Sequence, residues 1–185
     1  LVRDLSDQDA LEIALIEKCR SGDREALGEL LRQYQKPVYN AAYRILGNPD
    51  DAADVTQAVF LKVFENLDRY DPKFRFFSWI YRIAVNESIN QNKRGSRMQP
   101  LDEREIPARG GPDAALESSS LSDQIQGGLM ALNENYRMVV VLRHFSDFSY
   151  REIGKILDIP EKTVKSRLYS ARQAMKETLQ ARGVY

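Results

Sequence analysis

Residues 149–181 read SYREIGKILDIPEKTVKSRLYSARQAMKETLQA, and the fold turns on how this stretch divides. Ser149 is a good helix N-cap residue and Glu152 follows three positions later, so each side chain can satisfy an orphan amide of the first turn. Ile153, Ile156 and Leu157 then make one apolar stripe. Asp158-Ile159-Pro160 breaks the helix, and proline suits the first turn of the next one, where its missing N–H is not needed. In that second helix Val164, Leu168, Ala171 and Met175 share a face. Lys162, Ser166, Tyr169, Gln173 and Lys176 occupy the opposite one, and Lys165, Arg167 and Arg172 lie on the flanks. Residues 160–182 hold six lysines and arginines against two glutamates. Two crossed helices, a tight corner and a basic polar face describe a helix-turn-helix. The polar face suits a major groove, and the flanking cations suit phosphates. The competing reading is an ordinary solvated helix closing a bundle; the cap, the corner and the concentrated charge together favour the helix-turn-helix.

Upstream of this unit the helical period continues. Leu121, Ile125, Leu129 and Leu132 make a stripe, weakened at Gly127-Gly128 by about 1 kcal/mol per glycine relative to alanine. Asn133 is placed to cap a helix burying Val139, Val140 and Leu142. From about 95 to 122 the character changes: prolines break the spacing, three serines run together and no stripe persists. Residues 98–123 carry six acids against two bases, which reads as a solvated acidic tether.

Before the tether, Phe74, Phe76, Phe77, Trp79 and Tyr81 crowd together, interleaved with Lys73, Arg75 and Arg82. A helix over about 78–93 follows, carrying Asn86, Asn90, Gln91 and Asn92, and residues 72–97 hold six bases against one acid. Aromatic rings among cations suit unstacked bases, the rings stacking while Arg and Lys follow the backbone. Trp79 and Ile83 read as core. The preceding helix opens at Asn48-Pro49-Asp50-Asp51 with an N-cap, a first-turn proline and two acids at the positive end of the dipole. Val55, Ala58, Val59, Val63, Phe64 and Leu67 form its buried stripe. Residues 50–71 hold six acids against two bases, so the outer face is either solvated or a docking surface for a basic partner. Leu27, Leu30, Leu31, Tyr34, Val38, Ala41, Ala42 and Ile45 predict another helix, N-capped by Asp23 and closed by Gly47, with a kink or break expected at Pro37. A first helix is expected over Asp7 to Arg20, with Leu11, Ala14, Leu15 and Ile16 inward.

Composition bounds the rest. The chain has 185 residues, 43% of them hydrophobic, which permits real cores. Its 27 basic and 27 acidic residues cancel, so any nucleic-acid contact rests on local faces. Cys19 is the only cysteine and reads as a small buried hydrophobe; His144 is the only histidine and lacks a metal-binding companion. No phosphate loop, zincin motif or nucleophile elbow occurs, so no active site, metal or cofactor is expected. The aliphatic run 138–142 is too short to span a membrane and LVRDLSDQDA is no signal peptide, so a cytoplasmic protein without membrane insertion is expected. No strand-like alternation appears. The expected fold is all-α: two small helical domains joined by a flexible acidic linker, the C-terminal one containing the helix-turn-helix.

Four stretches carry a family resemblance: GDREALGELLRQYQKPVYNAAYRILGN, DDAADVTQAVFLKVFENLDRYDP, FSWIYRIAVN and YRMVVVLRHFSDFSYREIGKILDIPEKTVKSRLYSARQAMKETL. In this order they resemble a bacterial extracytoplasmic-function (ECF) sigma factor, the two-domain alternative class. The resemblance implies a region 2 domain over 1–95, a linker over 96–121 and a region 4 domain over 122–185. It implies core RNA polymerase, promoter DNA and an anti-sigma factor as partners. Asp51, Asp54 and Gln57 would dock on the polymerase clamp helices. Lys73, Phe74, Arg75 and Phe76, with Arg82, Asn86 and Asn90, would capture and hold the opened −10 strand. Lys162, Lys165, Ser166, Tyr169 and Ser170 would face the −35 duplex, with Arg167 and Arg172 on its backbone. Lys165 and Ser170 stand where relatives often carry arginine, which alters the reach and fork available to bases. The linker would thread polymerase near the template strand. A stand-alone helix-turn-helix regulator and a protein-binding helical adaptor are the alternatives.

Overall fold

A computed structural model of the chain describes residues 7–98, 121–181 and 183. The expected tether falls chiefly on 99–120 and lies outside the described residues. Among the described residues there are eight α-helices: α1 (Asp7–Arg20), α2 (Arg24–Leu46), α3 (Pro49–Glu65), α4 (Phe76–Met98), α5 (Leu121–Ala131), α6 (Glu134–His144), α7 (Tyr150–Leu157) and α8 (Glu161–Ala181). A 3₁₀ turn, Leu67–Arg69, follows α3.

The first four helices form a bundle whose centre is Leu30, Val38 and Ala42 of α2, Val59 and Val63 of α3 and Ile80 and Ala84 of α4, all buried. The expected local signals set the helix ends. Asp23 accepts from the amides of Glu25 and Ala26, and Asn48 from those of Asp50 and Asp51. Gly47 closes α2 at φ 75°, where a side chain would be strained and where a Cβ would lie 2.4 Å from Met130 Sδ. Pro37 neither kinks α2 into two elements nor ends it. The expected break does not occur because Tyr34, Val38, Ala41, Ala42 and Ile45 are buried on both sides of the proline, and that burial outweighs the one amide bond lost. The α1 expectation is also corrected. Ile16 and Cys19 face inward while Leu11 and Ala14 are exposed: near the start of α1 Glu12 accepts from the Tyr34 hydroxyl, and the side chains of α1 that the structure buries lie in its C-terminal half. There Arg20 donates to the carbonyls of Leu67 at 3.0 Å and Tyr70 at 2.6 Å.

The last four helices share a second centre made by Leu129, Val139, Leu142, Phe148, Ile153, Val164, Leu168 and Ala171. Leu121, expected in the α5 stripe, is exposed. Arg137 holds the end of α5: it donates to the carbonyls of Leu129 (2.9 Å), Met130 (3.1 Å) and Leu132 (2.9 Å). Its fourth bond, to the Ile45 carbonyl at 2.7 Å, crosses to α2 in the first bundle. Burial lowers the Arg137 pKa from its ordinary value. The two centres are continuous through contacts of α2 with α5 and α6 and of α4 with α7.

Candidate nucleic-acid interface

The corner between α7 and α8 is built by the residues that predicted it. Ser149 Oγ accepts from the Glu152 amide at 3.3 Å, and Glu152 accepts from the Ser149 amide at 2.9 Å, a reciprocal cap. Asp158 then turns the chain at φ 54°, and the Ile159 amide returns to the Gly154 carbonyl at 2.9 Å. Gly154 allows this close approach, since a Cβ there would meet the Ile159 carbonyl oxygen at 2.8 Å. Pro160 sits just ahead of α8, its carbonyl accepting from Thr163 and Val164.

With Val164, Leu168 and Ala171 buried, the opposite face of α8 is outward. Lys162, Lys165, Ser166, Tyr169 and Arg172 are exposed, and Arg167 and Ser170 are partly so. Tyr169, at 68% exposure, is a large ring with no core role and stands at the middle of this face. Lys165 is held by Glu161 one turn back, 2.8 Å away. That hydrogen bond and charge raise its pKa above the ordinary lysine value, so it is a cation at any physiological pH.

On the first bundle, Arg82, Asn86 and Asn90 recur at spacing four and are all exposed, a continuous polar row along α4. Lys73, Phe74 and Arg75 project from the preceding loop, Phe74 being half exposed. Phe76 differs from expectation: it starts α4 fully buried, against Tyr34, Tyr70 and Trp79 at centroid distances of 5.5, 5.0 and 5.5 Å. It supports the loop from beneath, and its ring is not offered to a base. The helix itself begins earlier and ends later than the expected 78–93, so residues 96–98 continue α4.

The α3 face divides similarly. Asp54 and Gln57 are exposed, while Asp51 is partly buried and accepts from Gln91 Nε2 at 2.7 Å. Asp51 therefore ties α3 to α4 as well as lying on the outer face. Sequence reasoning missed Phe148, Arg137 and Gln126, which join the two bundles; their signal is long-range and leaves no local pattern. Among the described residues no cluster of metal-ligating side chains occurs, and no helix is long and apolar enough to cross a membrane.

Comparison with known proteins places these surfaces in context. Residues 30–98 match the Sigma-70 region 2 family and residues 122–175 match Sigma-70, region 4. The chain is 34% identical to the ECF RNA polymerase sigma factor SigW of Bacillus subtilis, covering 89% of this chain and 94% of SigW. It is 32% identical to the ECF RNA polymerase sigma-E factor of Escherichia coli, covering 90% and 93% of the two chains. Among solved structures, the sigma factor RpoE of Bartonella quintana, determined with the anti-sigma factor NepR, is 26% identical with a TM-score of 0.69 over 83% of this chain and 96% of that one. CnrH, determined with the cytosolic domain of CnrY, shares the fold at a TM-score of 0.69 and 24% identity, over 91% and 96% of the chains.

Proposed function

Because the chain belongs to the ECF sigma factors of RNA polymerase, we propose that it is a non-catalytic initiation factor, working in the cytoplasm, that gives core polymerase its promoter choice. The observation that carries the reading is the outward row of α8. Lys162, Lys165, Ser166 and Tyr169 are exposed on a helix anchored by its opposite face against a capped α7. Such a helix can enter the major groove of a −35 element, its lysines and Ser166 meeting base edges while Arg167 and Arg172 neutralise phosphates. The Arg82–Asn86–Asn90 row and the Lys73–Arg75 loop hold the opened −10 strand. Their amides and cations meet base edges and backbone that a duplex would hide. The acidic outer face of α3, at Asp54 and Gln57, docks on a basic element of polymerase, where charge complementarity speeds and orients association.

An anti-sigma factor fits an adjoining feature that shares Arg172 with the −35 surface. An apolar groove of about 700 Å³ runs between α5, α6 and α8, lined by Ile125, Val140, Phe145, Met175 and Leu179 and rimmed by Arg172 and Lys176. An amphipathic helix with an acidic edge is complementary to it. The RpoE relative was solved with an anti-sigma factor bound, which supports a partner of that kind here.

Run-off transcription with purified core polymerase on a promoter library tests the reading. Initiation from a defined set of promoters, dependent on this chain, is expected. Duplex binding as a dimer with no effect on core polymerase would instead indicate a stand-alone regulator.

A further inference from the structure

The two bundles are fastened to each other through surfaces that the proposed function needs free. Phe148, just ahead of α7, is 1% exposed, and two rings of the other bundle contribute to its burial. Phe77 lies 5.1 Å away, stacked, and Tyr81 lies 4.9 Å away, edge-on. Tyr81 is itself fixed by donating its hydroxyl to the Pro37 carbonyl at 3.1 Å. Gln126 of α5 donates to the Tyr43 carbonyl at 3.2 Å and accepts from Arg44 at 3.3 Å, and Arg44 also lies 4.6 Å over the Phe145 ring. At the edge of this contact Glu152 pairs with Arg75 at 3.5 Å, and Lys155 stands 5.0 Å over the Phe74 ring. Arg75 and Phe74 belong to the strand-capture loop; Glu152 and Lys155 belong to α7 of the helix-turn-helix.

We propose that this contact is an autoinhibitory latch: in the free chain the promoter-reading half engages the side chains of the strand-capture loop and holds the two halves together, and the chain must open before it can serve polymerase. The proposal rests on the functional reading above. Its first support is engagement: Arg75 and Phe74 keep about half their surface open, but Glu152 already pairs with the Arg75 guanidinium and Lys155 stands over the Phe74 ring, so a strand must displace α7 to use them fully. Its second support is size. A compact body of this length has a radius of gyration of about 16 Å and so a diameter of roughly 40 Å. The −35 and −10 elements lie about 25 base pairs apart, or roughly 85 Å along B-form duplex. The closed body cannot touch both. The 22 residues between α4 and α5 reach at most about 75 Å when extended, which together with the breadth of the two halves lets them part over that span. The latch joins the halves without a covalent link, through the Phe148 knob, the packing of α2 on α5 and α6, and hydrogen bonds that include Arg137 to the Ile45 carbonyl, so closure is reversible. The apparent affinity for polymerase is then reduced by the open fraction.

The test uses the full chain. Spin labels at Leu61→Cys and Gln180→Cys, in a Cys19→Ala background, report the distance between α3 and α8. A single narrow distance is expected for the otherwise wild-type chain, and a broader, longer distribution for Phe148→Ala. Gln126→Ala is the second opening variant, with helicity by circular dichroism confirming that each variant is folded. The unlabelled variants are expected to associate with sigma-free core polymerase about fivefold faster than wild type, or more, in stopped-flow mixing. A broad distance distribution in the wild-type chain overturns the latch. So does a narrow one whose loss in the variants leaves the association rate unchanged. Failure of wild type and variants alike to bind core polymerase overturns the functional reading, and the inhibitory role with it, whatever the distances show.

Discussion

At the scale of single residues, the same side-chain type serves different ends according to which face carries it. Lys165 has little packing role: its side chain is exposed, and its ammonium meets only Glu161 on its own helix at 2.8 Å and, at 5.8 Å, the face of the Tyr150 ring. Lys165→Ala should therefore leave thermal stability nearly unchanged while weakening −35 recognition by about 1–3 kcal/mol. Holoenzyme binding to the preferred and to scrambled −35 sequences checks this. An equal loss on every sequence would make Lys165 a phosphate contact. Phe76 and Asn86 were expected to act together on the −10 strand, but the structure separates them. Truncating buried Phe76 removes core packing among three rings and should cost about 3–5 kcal/mol of stability, so it is no probe of strand capture. Asn86 is exposed, and Asn86→Ala should impair promoter opening, read by permanganate reactivity, more than closed-complex formation. Gly47 carries the third residue-scale expectation. At φ 75° beside Met130, Gly47→Ala should lower stability by about 1–2 kcal/mol in denaturant unfolding.

At the scale of elements, α7 is only eight residues long and is fixed by its ends. The reciprocal cap between Ser149 and Glu152 was legible because its signature is local, two residues three apart before an apolar stripe. Ser149→Ala should cost about 1 kcal/mol. The Glu152 carboxyl adds a pH dependence with a definite sign. Burial pushes its pKa up, but hydrogen bonds from Ser149 and the charge of Arg75 outweigh this, leaving it below the ordinary value of 4.5. A depressed carboxyl stabilises the fold above its unfolded pKa, and that stabilisation is lost as pH falls through the lower folded value. The melting-temperature gap between wild type and Glu152→Gln should accordingly be full at neutral pH and close below pH 4.5. A gap independent of pH would show that the carboxylate's charge plays no part. Pro37 shows the opposite case, a strong local signal overruled because five buried neighbours on α2 hold the helix through it.

At the scale of the whole molecule, legibility follows the range of the interaction. The helix-turn-helix, the caps at Asp23, Asn48 and Asn133, and the exposed rows of α4 and α8 are set by residues within a turn or two of one another, and the sequence shows them. The joining of the halves depends on Phe148 meeting Phe77 and Tyr81, and on Arg137 reaching Ile45, contacts between residues 67 to 92 positions apart that leave no periodicity to read. Charge distribution is legible in sign but not in availability: Asp51 and Asp54 look alike in sequence, yet Asp51 is held by Gln91 and Asp54 is free on the surface to meet a partner. That difference gives the last expectation. If the α3 face docks on a basic element of polymerase, Asp54→Lys reverses one charge at the contact without disturbing the bundle, because Asp54 is exposed and bonds no core group. Rim charges act mainly on the encounter rate, so association with core polymerase should slow several-fold at low salt while helicity and melting temperature stay near wild type. Screening sets how the difference fades. The Debye length falls from about 30 Å at 0.01 M ionic strength to about 8 Å at 0.15 M, so the two rates should converge as salt is raised. A deficit equally large at every ionic strength would point to a specific contact through Asp54, and no deficit at any would remove this face from the docking surface.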